Sequence, residues 1–248
     1  MQLYLNFNRV VSDAEVDALR KLVMRRGQRE PCQQILGSAS FCGLEIAVNR
    51  NVLVPRPETE LLAEHGWKFL SALASSPSVA LDFGTGSGCI ALALAANCPS
   101  ALVHALDISE AALSAARENA ARNKLSDRVQ FHLSDGFAAL PEGRRFDLII
   151  SNPPYIAASE IASLEPEVRD FEPRLALDGG TDGFDFFRRL AREAGAFLKR
   201  GGKLMLEFGD AQAAALREIL EKQNWIVEAV LEDYTRRPRV MIAQWKVC

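Results

Sequence analysis

VALDFGTGSGCIALALAANC, residues 79–98, decides the fold of this 248-residue chain. VALDF is apolar except for Asp82 and has the length of a buried strand, and the Ile/Ala/Leu run after Gly88 reads as a buried helix. Between them stand Gly84, Gly86 and Gly88, which allow a tight turn and the close approach of a ligand to the backbone. A strand that enters a helix through a glycine loop opens a doubly wound α/β sheet.

Downstream of this unit, strand and helix alternate. ALVHALD, VQFHLSD, FDLIIS and KLMLEFG read as buried parallel strands, with helices in SEAALSAARENAARNKL, DGFDFFRRLAREAGAFLKRGG and AQAAALREILEKQ. WIVEAVLEDY and RVMIAQWKV are joined by too few residues for a crossover, so this last pair is expected to be antiparallel. The fold class is therefore α/β, a doubly wound, mostly parallel, seven-stranded sheet. Upstream, SDAEVDALRKLVMRRG predicts a helix capped by Ser12 and Glu15, with Val16, Leu19, Leu22 and Val23 on one face. ASFCGLEIAVNRNVLVP predicts a hairpin around Gly43, followed by the Asn49–Asn51 turn. A helix opens at Pro57, with Glu58 and Glu60 near its positive end, and Ser75-Ser76-Pro77-Ser78 reads as a linker. The expected organisation is a short helical segment (1–35), a β-hairpin linker (36–56) and the α/β domain with its leading helix (57–248).

A formal net charge of −3 gives no field that would draw the whole chain to nucleic acid. The local clusters MRRGQR (24–29) and RRPR (236–239) are either solvated faces or contacts for acidic partners. Five scattered cysteines without CxxC spacing argue against a disulfide framework and a zinc site, and favour a reducing compartment; Cys89 and Cys98 read as small buried residues. The N-terminus has no basic-then-apolar secretory signal, and no apolar run approaches the ~20 residues of a membrane span. The expectation is a cytoplasmic protein, with no metal and no membrane partner.

Asp107 ends the strand ALVHALD about twenty residues past the glycine loop, where an acid accepts hydrogen bonds from a ribose diol. The loop is GxGxG rather than the dinucleotide pattern GxGxxG, and Asp82 stands two positions before its first glycine. An acid there repels a pyrophosphate and suits a ligand with a cationic or amino group. The pair Asp82 and Asp107 therefore favours S-adenosylmethionine over NAD. Asp135, in LSDGF, either joins the same rim at the adenine or makes an ordinary Asp-Gly turn.

SNPPYI, residues 151–156, ends the strand FDLIIS at the crevice beside the glycine loop. Pro153 and Pro154 fix two φ angles and leave their carbonyls as rigid acceptors. Asn152 adds a side-chain acceptor, and Tyr155 a flat face. This set suits a planar group bearing NH2, with its hydrogens held and its nitrogen aimed at an electrophilic methyl. The histidines at 65, 104 and 132 have no metal-spaced partner or evident nucleophile.

DFGTGSG, ALDIS, LSDGF and SNPPYI together resemble the amino-methyltransferases of the class I, S-adenosylmethionine-dependent, Rossmann-like fold. With PCQQILG, LVPRPETE, VRDFEPRLAL and RVMIAQW, residues 31–247 are similar to the protein-(glutamine-N5) methyltransferases of peptide chain release factors, the HemK/PrmC group. The resemblance implies that Gly84, Thr85, Gly86, Ser87, Gly88, Asp107, Asp135, Gly136 and Asn152 contact the cofactor. It implies that Asn152, Pro153, Pro154 and Tyr155 hold the glutamine amide of the release factor's GGQ motif. Arg56 and Glu58, with Phe171, Glu172 and Arg174, either shape the substrate rim or cap helices and anchor loops. Related ribosomal-protein glutamine methyltransferases usually depart from PRPETE; NPPY alone is shared with adenine and guanine amino-methyltransferases of nucleic acid, and direct nucleic-acid binding is not expected here. The group usually has a longer helical N-terminal domain than the 35 residues that precede PCQQILG. Relatives often carry a larger residue at position 136, so adenine packing is expected to be looser or to come from Phe137. A monomer is expected.

Overall fold

Five short elements lead into the large sheet: α1 (Asp13–Gly27), α2 (Cys32–Leu36), β1 (Ser38–Phe41), β2 (Leu44–Ala47) and α3 (Pro57–Ala72). The computed structural model describes residues 6, 8–73, 77–140 and 142–246, so Ser75 and Ser76 of the expected linker, and Cys248, lie outside the described residues. The sheet begins with β3 (Val79–Phe83), α4 (Cys89–Asn97), β4 (Leu102–Asp107), α5 (Glu110–Arg122), β5 (Val129–Leu133) and β6 (Phe146–Ser151). It continues through α6 (Pro166–Arg169), α7 (Asp185–Glu193), β7 (Leu198–Glu207), α8 (Ala213–Lys222), β8 (Trp225–Glu232) and β9 (Pro238–Trp245).

The strand order is β5-β4-β3-β6-β7-β9-β8. β3 pairs in parallel with both β4 and β6, so the winding reverses beside β3 and opens a crevice at the strands' carboxyl ends. β9 runs antiparallel to β7 and β8, as the short connection between the last two strands requires. Alternate strand residues enter two cores. Ala80, Leu148 and Ile150 pack with α3, α4 and α5 on one face, and Leu81, Phe83 and Ile149 with α7 and α8 on the other. Each such Leu, Ile or Phe contributes about 1.5–3 kcal/mol. Gly66 lets α3 lie close: a Cβ there would stand 2.9 Å from Leu94 and 3.0 Å from Ile150. That approach brings the first turn of α3 to the crevice.

The capping box of α1 forms through Ser12 and Glu15, but its expected apolar face is not buried, Leu19 and Val23 being 58% and 61% exposed. Charge docks this helix instead. Arg26 meets Glu167 at 2.8 Å, and Arg29 meets Glu165 and Glu167 at 2.6 Å each, all on the segment that follows the SNPPYI motif. The basic cluster at 24–29 is thus engaged within the chain. Cys32, Cys42, Cys89 and Cys98 are free thiols, the last two buried as expected. No helix of the described residues is long and apolar enough to cross a membrane, and the described residues hold no metal-type cluster of His, Cys, Asp and Glu.

Candidate active site

Gly84, Gly86 and Gly88 all adopt positive φ, at 74°, 55° and 81°. Gly88 also meets Ala116 of α5, where a Cβ would lie 3.1 Å from that side chain. The amide of Gly86 donates to Asp107 Oδ2 at 2.8 Å, and that of Ser109 donates to Oδ1 at 2.9 Å. Asp107 is thereby fixed at the wall of a cleft that also takes in Phe83, Ile90 and Ala112, with lone pairs remaining on both oxygens. Asn119 ties this loop to the hairpin, donating to Ser87 O at 2.9 Å and Ala47 O at 3.0 Å.

Asp82 does not line the cleft. It is fully buried behind the loop, where Oδ2 accepts from Thr85 Oγ1 at 2.6 Å and from Ala91 N, in the first turn of α4, at 3.1 Å. The turn has folded over its side chain, so the expected ligand-facing acid is a loop anchor. Burial pushes its carboxyl up to about 7, against the hydrogen bonds from Thr85 and Ala91. Its Oδ1 has no hydrogen-bond partner among the described residues.

At the far end of the cleft, Asp135 pairs with Arg189 of α7. Gly136 has φ +84°, and Arg189 lies against the position that a side chain at 136 would take. Phe137 turns away from the cleft to stack on Phe197 at 4.4 Å and tilt against Phe83 at 5.0 Å. Of the two expectations for this position, a Phe137 ring turned to the cleft is not what the structure has; Ile108, Phe186 and Arg189 are among the residues that line the cleft.

Asn152 and Pro154 line the cleft, whereas Pro153 and Tyr155 do not. Pro153 is buried, and the Tyr155 ring packs on Gly209, with its hydroxyl pushed up to about 12 by burial. Asn152 Nδ2 donates to Thr59 Oγ1 at 3.2 Å. Thr59 belongs to PRPETE, is buried at the first turn of α3 and also lines the cleft. Behind this pair lies Glu207, pushed up to about 7 by burial despite donors from Thr59 and Asn152. Neither Thr59 nor Glu207 was marked by the sequence; the sole hint was Thr59's place between the acids of PRPETE.

Arg56 Nη2 donates to Glu172 Oε2 at 2.6 Å, and Val54 N donates to Oε1 at 3.2 Å. Gln34 donates to Phe171 O at 3.1 Å. Arg56 and Glu172 thus clamp LVPRP to FEPR, and Arg56 lines the cleft as well. Glu58 does not line it but acts on Glu207 and Tyr155 through its charge. Arg174 bonds Asp178 at 3.1 Å, an anchoring contact. Among the described residues, the cations lining the cleft are Arg56 and Arg189, both paired to carboxylates, and Asp107 faces it with no cation bonded to it. Such a cleft fits a nucleoside that carries positive charge better than one that carries phosphate.

Residues 64–165 match the methyltransferase small domain family, and residues 1–37 match the PrmC N-terminal domain. The solved 16S rRNA N2 G1207 methyltransferase of Thermus thermophilus, in complex with AdoMet and guanosine, shares the fold. It has a TM-score of 0.57 at 21% identity, over 84% of this chain and 50% of that one. The release factor glutamine methyltransferase of Geobacter sulfurreducens is 46% identical over 85% of this chain and 72% of its own length. That of Cereibacter sphaeroides is 48% identical over 88% of this chain and 76% of its own length. On this likeness, the chain belongs to the release factor glutamine methyltransferase family.

Proposed function

We propose that this chain methylates the side-chain amide nitrogen, N5, of the glutamine in the GGQ motif of a peptide chain release factor, with S-adenosylmethionine as the methyl donor. The observation that carries the reading is the pinned amide of Asn152, a residue of the cleft wall: its Nδ2 is bound to Thr59, which leaves Oδ1 to accept from a substrate. Asp107 and the loop from Gly84 to Gly88 would hold the ribose and the amino-acid part of the cofactor, with Asp135 at the adenine. When bound, S-adenosylmethionine supplies an electrophilic methyl on a sulfonium sulfur.

An amide nitrogen is a poor nucleophile, so the protein's contribution is placement. Asn152 Oδ1 accepts one amide hydrogen and a proline carbonyl of the motif the other. Two fixed acceptors orient the nitrogen and stabilise the positive charge that grows on it. Because release factors work in translation, the reading places the enzyme in the cytoplasm.

Labelled S-adenosylmethionine should put one methyl on a release factor, seen by intact mass and lost when the GGQ glutamine is replaced. Label entering RNA, DNA or a ribosomal protein, and not the release factor, overturns the reading. Asn152→Ala should lower turnover by roughly 100-fold and leave S-adenosylhomocysteine binding nearly intact. Equal losses in both would contradict the amide-holding role.

A further inference from the structure

Glu207 ends β7 one strand away from the motif, since Leu206 pairs with Ser151 of β6. It is 2% exposed. The cation that acts on it, Arg239 of β9, is bonded to Asp233 at 3.2 Å. Thr59 and Asn152 act on the Glu207 carboxylate as hydrogen-bond donors, while Oε2 is left without a partner among the described residues. Thr59 Oγ1 in turn accepts from Asn152 Nδ2 at 3.2 Å. Three side chains, from the first turn of α3, the motif and the end of β7, therefore meet behind the wall of the cleft.

Nothing about packing calls for an acid in this place. A buried carboxylate with an unsatisfied oxygen opposes folding, and a leucine or glutamine would fill the space with less penalty. The amide of Asn152, however, has two orientations of nearly the same shape. Turned over, it would point NH2 at the substrate's own NH2, donor against donor. With two acceptors on the protein side, Thr59 Oγ1 and Glu207, one orientation is satisfied: Nδ2 inward and Oδ1 to the cleft.

We propose that Glu207 is a positioning residue for Asn152, selecting, together with Thr59, the face that this amide presents to the substrate. The inference rests on the methyl-transfer reading above and deepens it. The charge of Glu207 also adds to the field around a nitrogen that becomes positive in the transition state. Burial raises Glu207 to about 7; Thr59, Arg239 and Asn152 hold it down, and Glu58 pushes it up. Tyr155 also faces it, and burial keeps that phenol neutral. As pH falls through about 7 Glu207 becomes protonated, one acceptor is lost and turnover declines.

In the full chain, Glu207→Leu should lower kcat on the release factor by roughly 100-fold, with S-adenosylhomocysteine affinity by calorimetry held within about twofold. Glu207→Gln, which keeps shape and one acceptor, should recover part of that loss and abolish the acid limb of the kcat profile near pH 7. Independently of activity, the 13C carboxyl titration of Glu207 should move to higher pH in Asn152→Ala, which removes a donor. An unmoved titration, an acid limb that persists in Glu207→Gln, or a Glu207→Leu kcat within about twofold of the parent overturns the proposal. Failure of the parent protein to methylate any release factor would sink the methyl-transfer reading instead, and the carboxyl titration would still decide whether Asn152 and Glu207 are bonded.

Discussion

Arg56→Ala separates packing from substrate contact at the rim of the cleft. The Glu172 side chain is 1% exposed and that of Arg56 is 34% exposed, with 2.6 Å between Nη2 and Oε2. Removing the guanidinium leaves a carboxylate inside the protein with one backbone donor, Val54 N. Breaking a buried pair in this way costs about 3–5 kcal/mol, and the partial solvation of Arg56 brings the expectation down to about 2 kcal/mol. Burial already holds Glu172 above the ordinary carboxylate range, outweighing Arg56 and Val54, and loss of Arg56 raises it further. A carboxyl raised in the folded state binds its proton more tightly folded than unfolded. The penalty is therefore absent below the unfolded value of about 4.3 and grows as pH rises to the folded one. Urea unfolding followed by tryptophan fluorescence should show a deficit of about 2 kcal/mol at about pH 8 that shrinks toward about pH 5. In an Arg56→Ala/Glu172→Gln protein, most of it should disappear. A deficit equal at both pH values would refute the buried-charge argument. Lost methyl transfer with stability unchanged would make Arg56 a substrate contact and not a clamp.

Gly136→Ala places a Cβ against Arg189 at a φ of +84°, which should cost about 1–2 kcal/mol in backbone strain and loosen the Asp135–Arg189 pair. Calorimetry should show weaker S-adenosylhomocysteine binding; undiminished affinity would mean that this end of the cleft does not hold the adenine. His104 is buried, with Nδ1 2.9 Å from His132 Nε2, and burial, then His132 and Arg144, lowers it to about 4. A histidine depressed in the folded state contributes stability above its unfolded value of about 6.5, lost as pH falls toward the folded one and on the order of 3 kcal/mol in full. Thermal melts of His104→Gln should be flatter than the parent's between about pH 6.5 and 4.5, and parallel curves would rule this source out.

The glycine loop and SNPPYI were readable because their residue types are demanded by the local backbone. Gly84, Gly86 and Gly88 do occupy left-handed φ, and the prolines do end β6. What sequence could not supply was direction. Asp82 and Phe137 have the chemistry of ligand contacts, yet one points behind the loop and the other into the core. Nor could it supply long-range meetings. Thr59 reaches Asn152 across 93 positions, Arg56 reaches Glu172 across 116, and Asn119 reaches Ala47 across 72. Each depends on which segments the sheet brings together, and no local pattern encodes that. The exposed apolar face of α1 has a related cause: helical spacing says that a face exists, whereas the partner it meets is decided elsewhere.

Two of these contacts, Thr59–Asn152 and Arg56–Glu172, reach the segment from Asn152 to Gly183, and others join them there. α1 and the turn after it grip the segment through Arg26 and Arg29 on Glu165 and Glu167, α2 through Gln34 on Phe171, and the N-cap of α3 through Arg56 on Glu172. The segment also closes on itself, Ile156 N donating to Leu177 O at 3.0 Å and Gly179 N to Ile156 O at 2.8 Å. Surface pairs such as Arg29–Glu165 contribute only about 0–1 kcal/mol each, so stability alone is a weak reason for so many. A site that works by holding a weak nucleophile has a stronger one. Placement accelerates a reaction only when the reacting atoms are kept near 3–3.5 Å, and a 1 Å error costs on the order of 100-fold. One proline carbonyl and one asparagine amide cannot hold that tolerance from a free loop. Tied at 165–167, 171–172 and 177–180, they can, and on the proposed reading Arg26, Arg29 and Gln34 serve that placement although they are not among the residues that line the cleft.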